Sequence, residues 1–246
     1  MSVLVHDVHH SYRKFAALHG VDLELTGEPC ALVGVNGAGK STLLTIMAGG
    51  LEPNRGTVAV GGSDLYRRKS RNAALARTAL MPQRFGYPHA MTALEFVSYL
   101  TWMRKVSWKQ ARERAAAALE AVDLGAVAHV RMGALSGGMV RRVGLAQALA
   151  ARAEVILLDE PSTGLDPEQR RIMIELVGSL AGVQVLMSSH VMEDVLEVAE
   201  RVVVLHEGVI VFRGRVAELA ALAPADVPPS RAVEEGFLST IGRLRR

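Results

Sequence analysis

Hydrophobic and polar residues alternate along the first part of the chain. Residues 2–10 alternate in part and are rich in valine, and Val21-Asp22-Leu23-Glu24-Leu25 alternates without a break. A period of two puts the apolar side chains on one face of an extended strand. We therefore predict two paired antiparallel strands with one face in water. Residues 11–15, which include Tyr12 and Phe15, are predicted to form a loop between them.

Largely apolar runs predict a second kind of strand. They occupy residues 30–33, 155–158 and 183–188. Strands that are buried on both faces of a parallel sheet have this pattern. Shorter patterns at residues 57–62 and 78–81 predict two further strands, and residues 201–212 predict a hairpin that turns at His206-Glu207-Gly208.

A helical pattern interrupts the strands. From Thr92 to His129 apolar residues recur at helical spacing, and residues 109–119 are rich in strong helix formers. We predict one domain over residues 1–220, with an inserted helical subdomain at about residues 90–150. Prolines then loosen the chain before a last short helix, so residues 221–246 are predicted to form a C-terminal tail.

Composition narrows the class of protein. The 246 residues are half hydrophobic, and they carry a formal charge of +3 with one cysteine, Cys30. This basicity is weaker than that of a dedicated nucleic-acid binder, and no direct nucleic-acid partner is expected. No uncharged apolar run reaches the roughly 18 residues that a membrane helix needs. The start lacks the pattern of a secretory signal, and we expect a cytoplasmic location with any membrane role peripheral.

The first candidate site is a glycine-rich loop. The segment from Gly34 to Thr42 fits the pattern G-x-x-x-x-G-K-[ST], and it follows a predicted strand and precedes a predicted helix. In that context the backbone N–H groups form a phosphate cradle, a lysine reaches the outer phosphates and a hydroxyl binds Mg²⁺. A glycine-rich turn that carries a lysine by chance is the alternative. The predicted nucleotide-binding residues are Gly34, Asn36, Gly37, Ala38, Gly39, Lys40, Ser41 and Thr42.

Two adjacent carboxylates form the second candidate. Asp159 and Glu160 follow the apolar strand at residues 155–158. Asp159 suits a Mg²⁺ site opposite Ser41, and Glu160 suits a base that polarises the attacking water. A solvated strand end is the alternative. Because the carboxyl ends of parallel strands meet at one edge of the sheet, we expect both acids and His190 near the glycine-rich loop.

A Ser-Gly-Gly segment is the third candidate. Ser136, Gly137 and Gly138 precede a predicted helix. Free N–H groups at a helix start can bind a second phosphate, although Ser-Gly-Gly is also a common flexible turn.

Together these segments resemble the ATP-binding cassette superfamily, specifically the nucleotide-binding subunit of a bacterial transporter, over nearly the whole chain. The resemblance rests on six motifs in the order of the family: residues 34–42, 81–83, 135–139, 155–160, 162–167 and 189–190. It implies an α/β fold with a mostly parallel sheet core of the P-loop NTPase type, an antiparallel β subdomain and an inserted α-helical subdomain.

The resemblance also assigns roles to single residues. It implies that Tyr12 stacks on adenine, with a packing aromatic residue as the alternative and Phe15 as the weaker candidate. Gln83 would bind Mg²⁺ or the water, His190 would contact the γ-phosphate, and Asp166 would contact the partner subunit. Two ATP molecules would lie between two cassettes, each between one glycine-rich loop and the partner's Ser136-Gly137-Gly138. Met139 departs from the glutamine that is usual at that position of the family.

The function that this resemblance implies is ATP hydrolysis that powers transport. We expect a homodimer, or a heterodimer with another cassette, bound to separately encoded transmembrane subunits on the cytoplasmic face of the cell membrane. The segment at residues 135–145 is similar to subunits of bacterial exporters, so export is expected. Residues 84–88 and the helical insertion would form a groove that receives the membrane partner. Phe96, Tyr99, Leu100 and Trp102 are candidates to line it, although an apolar helical stripe more often belongs to the core. The alternatives are an ATPase of an assembly complex without a membrane partner and a regulatory cassette that binds ATP without hydrolysis.

Overall fold

The computed structural model describes residues 2–13 and 15–244. Lys14 of the predicted loop and residues 245 and 246 of the predicted tail lie outside the described residues. The strands are β1 (Val3–Tyr12), β2 (Phe15–Leu25), β3 (Cys30–Val33), β4 (Arg55–Val60), β5 (Ser63–Asp64), β6 (Thr78–Met81), β7 (Val155–Asp159), β8 (Gln184–Ser189), β9 (Arg201–His206) and β10 (Val209–Arg215). The helices are α1 (Lys40–Met47), α2 (Arg71–Ala76), α3 (Ala93–Trp102), α4 (Trp108–Ala121), α5 (Gly137–Ala150), α6 (Pro167–Gly178), α7 (Met192–Val198), α8 (Val216–Ala220) and α9 (Ala232–Leu244).

The alternating segments form an antiparallel sheet, as predicted. Its strand order is β2-β1-β4-β5. The predicted loop at residues 11–15 is wrong in extent, because β1 runs to Tyr12, β2 starts at Phe15, and these two residues pair across the strands. Aromatic residues favour strands, and Arg13 supplies the left-handed backbone (φ 53°) of a tight hairpin turn. Tyr12 and Phe15 are therefore cross-strand neighbours.

The apolar runs form a second sheet of order β10-β9-β3-β8-β7-β6. Its five strands from β9 to β6 are parallel, and β10 is antiparallel to β9, which confirms the predicted hairpin. Every residue of β3, β7 and β8 is buried. In register, Val33 lies beside Ser189 and Asp159 beside Ser188, so the sheet brings the three strand ends to one edge.

Helix α1 lies between the two sheets. One apolar core joins Val5 and Leu23 of the antiparallel sheet, Leu43 of α1, and Leu157 and Leu186 of the parallel sheet. The helix that follows the glycine-rich loop is thus fixed on two sides, and the loop has little freedom to move relative to either sheet. The mixed sheets and helices confirm the predicted fold class.

Helices α3, α4 and α5 form a separate layer beside β6 and β7. Their buried residues, among them Val97, Leu119 and Val143, join those of both strands in one core. Phe96 also belongs to this core and stacks on Phe85 at 6.1 Å, and Leu100 packs against it. For these two residues the structure agrees with the core alternative rather than with a docking groove, because this face of α3 turns inward. Tyr99 and Trp102 are exposed, as the prediction requires.

The C-terminal segment packs on the parallel sheet. Val233, Phe237 and Ile241 of α9 are buried with Val202 and Val204 of β9. Apolar residues at a spacing of four place one face of α9 on the sheet. Among the described residues, no helix combines the length and the apolar character that crossing a membrane requires.

Cys30 gives a simple test of the packing around β3. Its side chain is buried, and burial raises the pKa of its thiol to about 12. Because the thiolate is the reactive form, the native thiol is expected to resist iodoacetamide at pH 8. One thiol per chain should react after unfolding in guanidinium chloride. Rapid labelling of the native protein would contradict this packing.

Candidate functional site

A cavity of about 560 Å³ opens at the carboxyl edge of the parallel sheet. It brings together side chains from segments that are far apart in the sequence, as the positions of the motifs predicted. The lining residues are Tyr12, Phe15, Ala17, Asn36, Gly37, Ala38, Gly39, Lys40, Ser41, Thr42, Gln83, Glu160, Thr163 and His190.

The glycine-rich loop between β3 and α1 forms the floor of this cavity. Gly39 has a φ of 105°, and a Cβ atom there would lie 2.7 Å from the carbonyl oxygen of Ala17. Only glycine combines that left-handed backbone with so close an approach. A side chain at Gly34 would meet the carbonyl oxygen of Leu205. The absence of a side chain at these two positions lets the loop pack closely against β2 and β9, and this packing fixes where α1 begins.

Lys40 is the cation of the cavity. Its side chain is only 6% exposed, and its Nζ donates to the carbonyl oxygens of Gly34 (2.7 Å) and Val35 (3.2 Å). Burial lowers the pKa of the ammonium group, while the nearby carboxylates of Glu160 and Asp159 oppose that shift. The N-terminus of α1 adds partial positive charge, and its first turn contains no acid. The floor therefore attracts anions.

Glu160 is the point on which the other polar side chains converge. Its Oε2 accepts from Gln83 Nε2 (2.9 Å) and Thr163 Oγ1 (3.0 Å). Its Oε1 lies 3.4 Å from Nδ1 of His190 and 3.7 Å from Nζ of Lys40. A carboxylate with only 7% exposure is thus held by four side chains and faces the cavity. Thr163 was not predicted as a site residue, although it lies three residues after Glu160 in the sequence.

The backbone at Glu160 is also unusual. Its φ is 46°, in the left-handed region that residues other than glycine rarely adopt. Its N–H donates to Ser188 Oγ (2.9 Å), and that hydroxyl donates to Asp159 Oδ1 (2.7 Å). Strain of this kind persists only where the surroundings hold it, and it clusters at functional sites. Asp159 is buried behind the cavity wall, and Ser188, which connects the two acids, was not predicted.

Two aromatic residues form one side of the cavity. Tyr12 is 48% exposed, its hydroxyl lies 3.5 Å from Thr42 Oγ1, and its ring meets that of His10 edge-on at 4.7 Å. Phe15, its cross-strand neighbour, is also exposed and lines the cavity. Either ring offers a flat face for stacking. Tyr12 is in addition held by its contacts to Thr42 and His10.

Gly34 and Asp159 do not line this cavity, and four further predicted site residues lie outside it. Ser136 caps α5 by accepting from the backbone N–H of Met139 (3.3 Å), and Asp166 caps α6 by accepting from that of Gln169 (2.9 Å). Nothing lies within 4 Å of the position a Cβ would take at Gly137, whereas at Gly138 it would collide with the side chain of Gln169. These residues therefore present two helix N-termini that contribute nothing to the cavity of their own chain.

The predicted metal donors are all oxygen atoms. Ser41 and Gln83 line the cavity, and Asp159 lies directly behind it. In residues 2–13 and 15–244 no three His, Cys, Asp or Glu side chains are grouped closely enough to bind a metal ion. Mg²⁺ prefers oxygen ligands and usually keeps waters and substrate phosphates in its shell, so it does not need such a group. The residues present fit Mg²⁺ bound together with a phosphate ligand.

Comparisons with known proteins agree with this geometry. The model of the family described as ABC transporter matches residues 18–163. The chain is 31% identical over 238 residues to the daunorubicin/doxorubicin resistance ATP-binding protein DrrA of Streptomyces peucetius, covering 93% of this chain and 72% of that protein. It is 37% identical over 221 residues to the methionine import ATP-binding protein MetN of Streptomyces griseus, covering 85% and 62%.

A solved structure gives the same picture. A dimeric ATP-binding cassette in a post-hydrolysis state, bound to ADP and Pi, superimposes with a TM-score of 0.78 at 26% identity. The superposition covers 87% of this chain and 98% of that one. The whole of that cassette is therefore represented in the fold described above.

Proposed function

This chain belongs to the ABC transporter family and is an ATP-hydrolysing subunit, and from that premise we propose how its residues bind ATP, hydrolyse it and power export. The observation that carries the proposal is the convergence of Lys40, Gln83 and His190 on the carboxylate of Glu160. A buried acid that borders a phosphate-binding loop is the arrangement that nucleotide hydrolysis needs.

The phosphates of ATP would lie on the floor of the cavity. Lys40 would exchange its contacts with its own loop carbonyls for the outer phosphate oxygens, because a charge-assisted bond is stronger than a neutral one. The backbone of residues 36–39 and the start of α1 would bind the inner phosphates. Tyr12 would stack on the adenine. Mg²⁺, held by Ser41, Gln83 and Asp159, would neutralise charge that develops on the phosphates.

Glu160 would act as the general base. Its carboxylate lies 3.7 Å from Lys40 and faces the end of the cavity where the γ-phosphate would lie. It would orient the attacking water and take its proton. Gln83 and Thr163 donate to the other carboxylate oxygen, so they would hold the acid in one orientation while its Oε1 meets the water. His190 would contact the γ-phosphate.

A second cassette would complete the site. Ser136, Gly137 and Gly138 lie at a helix N-terminus that does not line the cavity of their own chain. Such an end binds anions through free N–H groups and the helix dipole. We propose that it binds the γ-phosphate of ATP on the partner, and that Asp166 contacts the partner beside it. The similar cassette bound to ADP and Pi is dimeric, which supports this arrangement.

Replacement of Gly137 by Asp tests the shared site. A Cβ atom at this position would meet no atom of its own chain within 4 Å, and an acid is favourable in the first turn of a helix. The monomer should therefore keep its Tm and its ATP affinity. Turnover should fall by about 10²-fold, because an acid would face the partner's γ-phosphate in place of backbone N–H groups. Steady-state phosphate release and calorimetric ATP binding measure the two effects.

Gly138→Ala shows, by comparison, the effect of a steric clash within the monomer. Its Cβ would collide with the side chain of Gln169, so this variant should lower the Tm of the monomer itself. A Gly137→Asp variant that keeps the wild-type Tm and hydrolyses ATP as fast as wild type would show that this helix end plays no part in the site.

We also propose a surface for the membrane partner. A groove of about 630 Å³ lies between α2, β6 and the end of α3. Beside it Tyr99, Trp102, Met103 and Trp108 are exposed, and they include both tryptophans of the chain. Exposed aromatic clusters of this kind mark interaction surfaces. The occupant that we propose is a segment of a separately encoded transmembrane subunit, which would hold this chain at the cytoplasmic face of the membrane.

Export is the proposed direction. The proposal rests on residues 135–145, which are similar to those of bacterial exporter subunits, and a drug-resistance protein is among the relatives. Affinity capture of the tagged chain from detergent-solubilised membranes tests the transport assembly. A multi-span membrane protein should co-purify with wild type and much less with the double variant Trp102→Ser/Trp108→Ser. Recovery of the chain without any membrane protein would favour an assembly complex instead.

A further inference from the structure

Arg141 connects three parts of the site by hydrogen bonds to the backbone. Its guanidinium lies on α5, one turn after the helix begins. It donates to the carbonyl oxygens of Pro82 (3.4 Å) and Gln83 on one segment, and to those of Glu160 and Pro161 (3.2 Å) on another. Of the four acceptor residues, Gln83 and Glu160 are predicted site residues, and Arg141 itself does not line the cavity.

These bonds close a ring around the acid. Arg141 holds the backbone of Gln83, the side chain of Gln83 donates to the carboxylate of Glu160, and the carbonyl of Glu160 accepts from Arg141. The ring includes the residue with the left-handed backbone, whose conformation needs support from outside. We propose that Arg141 is a positioning residue that fixes Gln83 and Glu160 relative to each other and couples both to the N-terminus of α5.

The coupling follows from the rigidity of a helix. Ser136, Gly137 and Gly138 begin α5, and Arg141 follows within about 6 Å along the helix axis at 1.5 Å per residue. A shift of the helix end toward the partner's ATP therefore moves the guanidinium by nearly the same amount. Through its four carbonyl contacts that shift reaches Gln83 and Glu160. One ATP site thereby sets the geometry of the acid in the other, an inference that rests on the shared site proposed above.

The next residue on the same helix gives the matched control. Arg142 is also buried, and its Nη1 donates to the carbonyl oxygens of Val122 (3.3 Å) and Asp123 (3.4 Å). Those acceptors follow α4, inside the helical layer and away from the cavity. Arg142→Gln thus removes a buried guanidinium with backbone bonds but leaves the ring at Glu160 intact.

The experiment compares purified wild type with Arg141→Gln, Arg141→Lys and Arg142→Gln. Arg141→Gln should lower kcat by about tenfold or more, because small displacements of an aligned group are costly, while ATP affinity stays within about twofold. Its Hill coefficient for ATP should fall toward 1. Arg141→Lys keeps the charge and should recover much of the rate. Arg142→Gln should lower the Tm but keep kcat for the folded protein.

A double variant shows whether Arg141 acts through Glu160. Added to Glu160→Gln, the Arg141→Gln change should cause no further loss of rate, whereas a purely structural effect would add to it. Additive losses, or an Arg141→Gln enzyme with the kcat and Hill coefficient of wild type, would overturn the proposal. A wild-type specific activity that does not depend on protein concentration would instead refute the shared site on which the coupling rests.

Discussion

Glu160→Gln is expected to lower ATP turnover by about 10²- to 10⁴-fold, the usual contribution of a general base. The amide has the size of the acid but cannot take a proton from water. ATP binding should survive, because Lys40 and the glycine-rich loop are unchanged. Since the closed state is then no longer emptied by hydrolysis, an ATP-bound dimer should accumulate. Phosphate release and size-exclusion chromatography with ATP and Mg²⁺ measure the two effects.

Glu154→Gln is the control for this substitution. Glu154 directly precedes β7, and Glu160 directly follows it. The side chain of Glu154 is exposed and lies 3.4 Å from that of Arg77. The substitution removes the same charge outside the cavity, where an exposed ion pair contributes little. It should change turnover by less than about twofold. A Glu160→Gln variant that turns over at the wild-type rate and stays monomeric with ATP would show that the base is another residue.

Lys40→Ala is expected to weaken ATP binding by about ten- to a hundredfold, since a hydrogen bond to a charged group contributes roughly 1.5–3 kcal/mol. The effect should exceed that of any exposed cation, because Lys40 is buried and its field is poorly screened. Turnover should fall with it, since the carboxylate of Glu160 also loses its nearest cation. Calorimetric titration with ATP and Mg²⁺ gives the dissociation constant.

Lys109→Ala removes the same charge from an exposed position on α4 and should leave ATP affinity unchanged. The Tm of both variants shows whether each is folded. An ATP dissociation constant for Lys40→Ala within about twofold of wild type would mean that the phosphates do not contact this lysine, because the loss of a charged contact costs more than that.

The sequence predicted secondary structure best where its pattern was typical of a single kind of element. Continuous apolar runs predicted β3, β7 and β8, because only strands covered on both faces can be so apolar. The predicted loop at residues 11–15 was too long. The turn depends on a left-handed backbone at Arg13, and the sequence has no glycine there to indicate it. A helical stripe does not say which apolar residues of α3 face the core, and only the structure places Phe96 inside and Tyr99 and Trp102 at the surface.

Some residues of the site could likewise be predicted from the sequence, and others could not. The cavity gathers the residues of the glycine-rich loop with Gln83, Glu160 and His190, as strand ends on one sheet edge require. Thr163 and Ser188 were not foreseen, because single hydroxyls form no motif. Arg141 was not foreseen either, since its four partners are backbone carbonyls, which any sequence provides. The position of Ser136 and Asp166 outside the cavity follows from the proposed dimer.

The central claim is that each ATP site needs two chains, and mixing two defective variants tests it most directly. Lys40→Ala disables the glycine-rich loop and Gly137→Asp disables the N-terminus of α5, so each variant alone should be nearly inactive. In an equal mixture, random pairing would give one intact site in half of the dimers, and up to about a quarter of the wild-type rate should return. A mixture that is no more active than its two components, beside an active wild type, would contradict the claim.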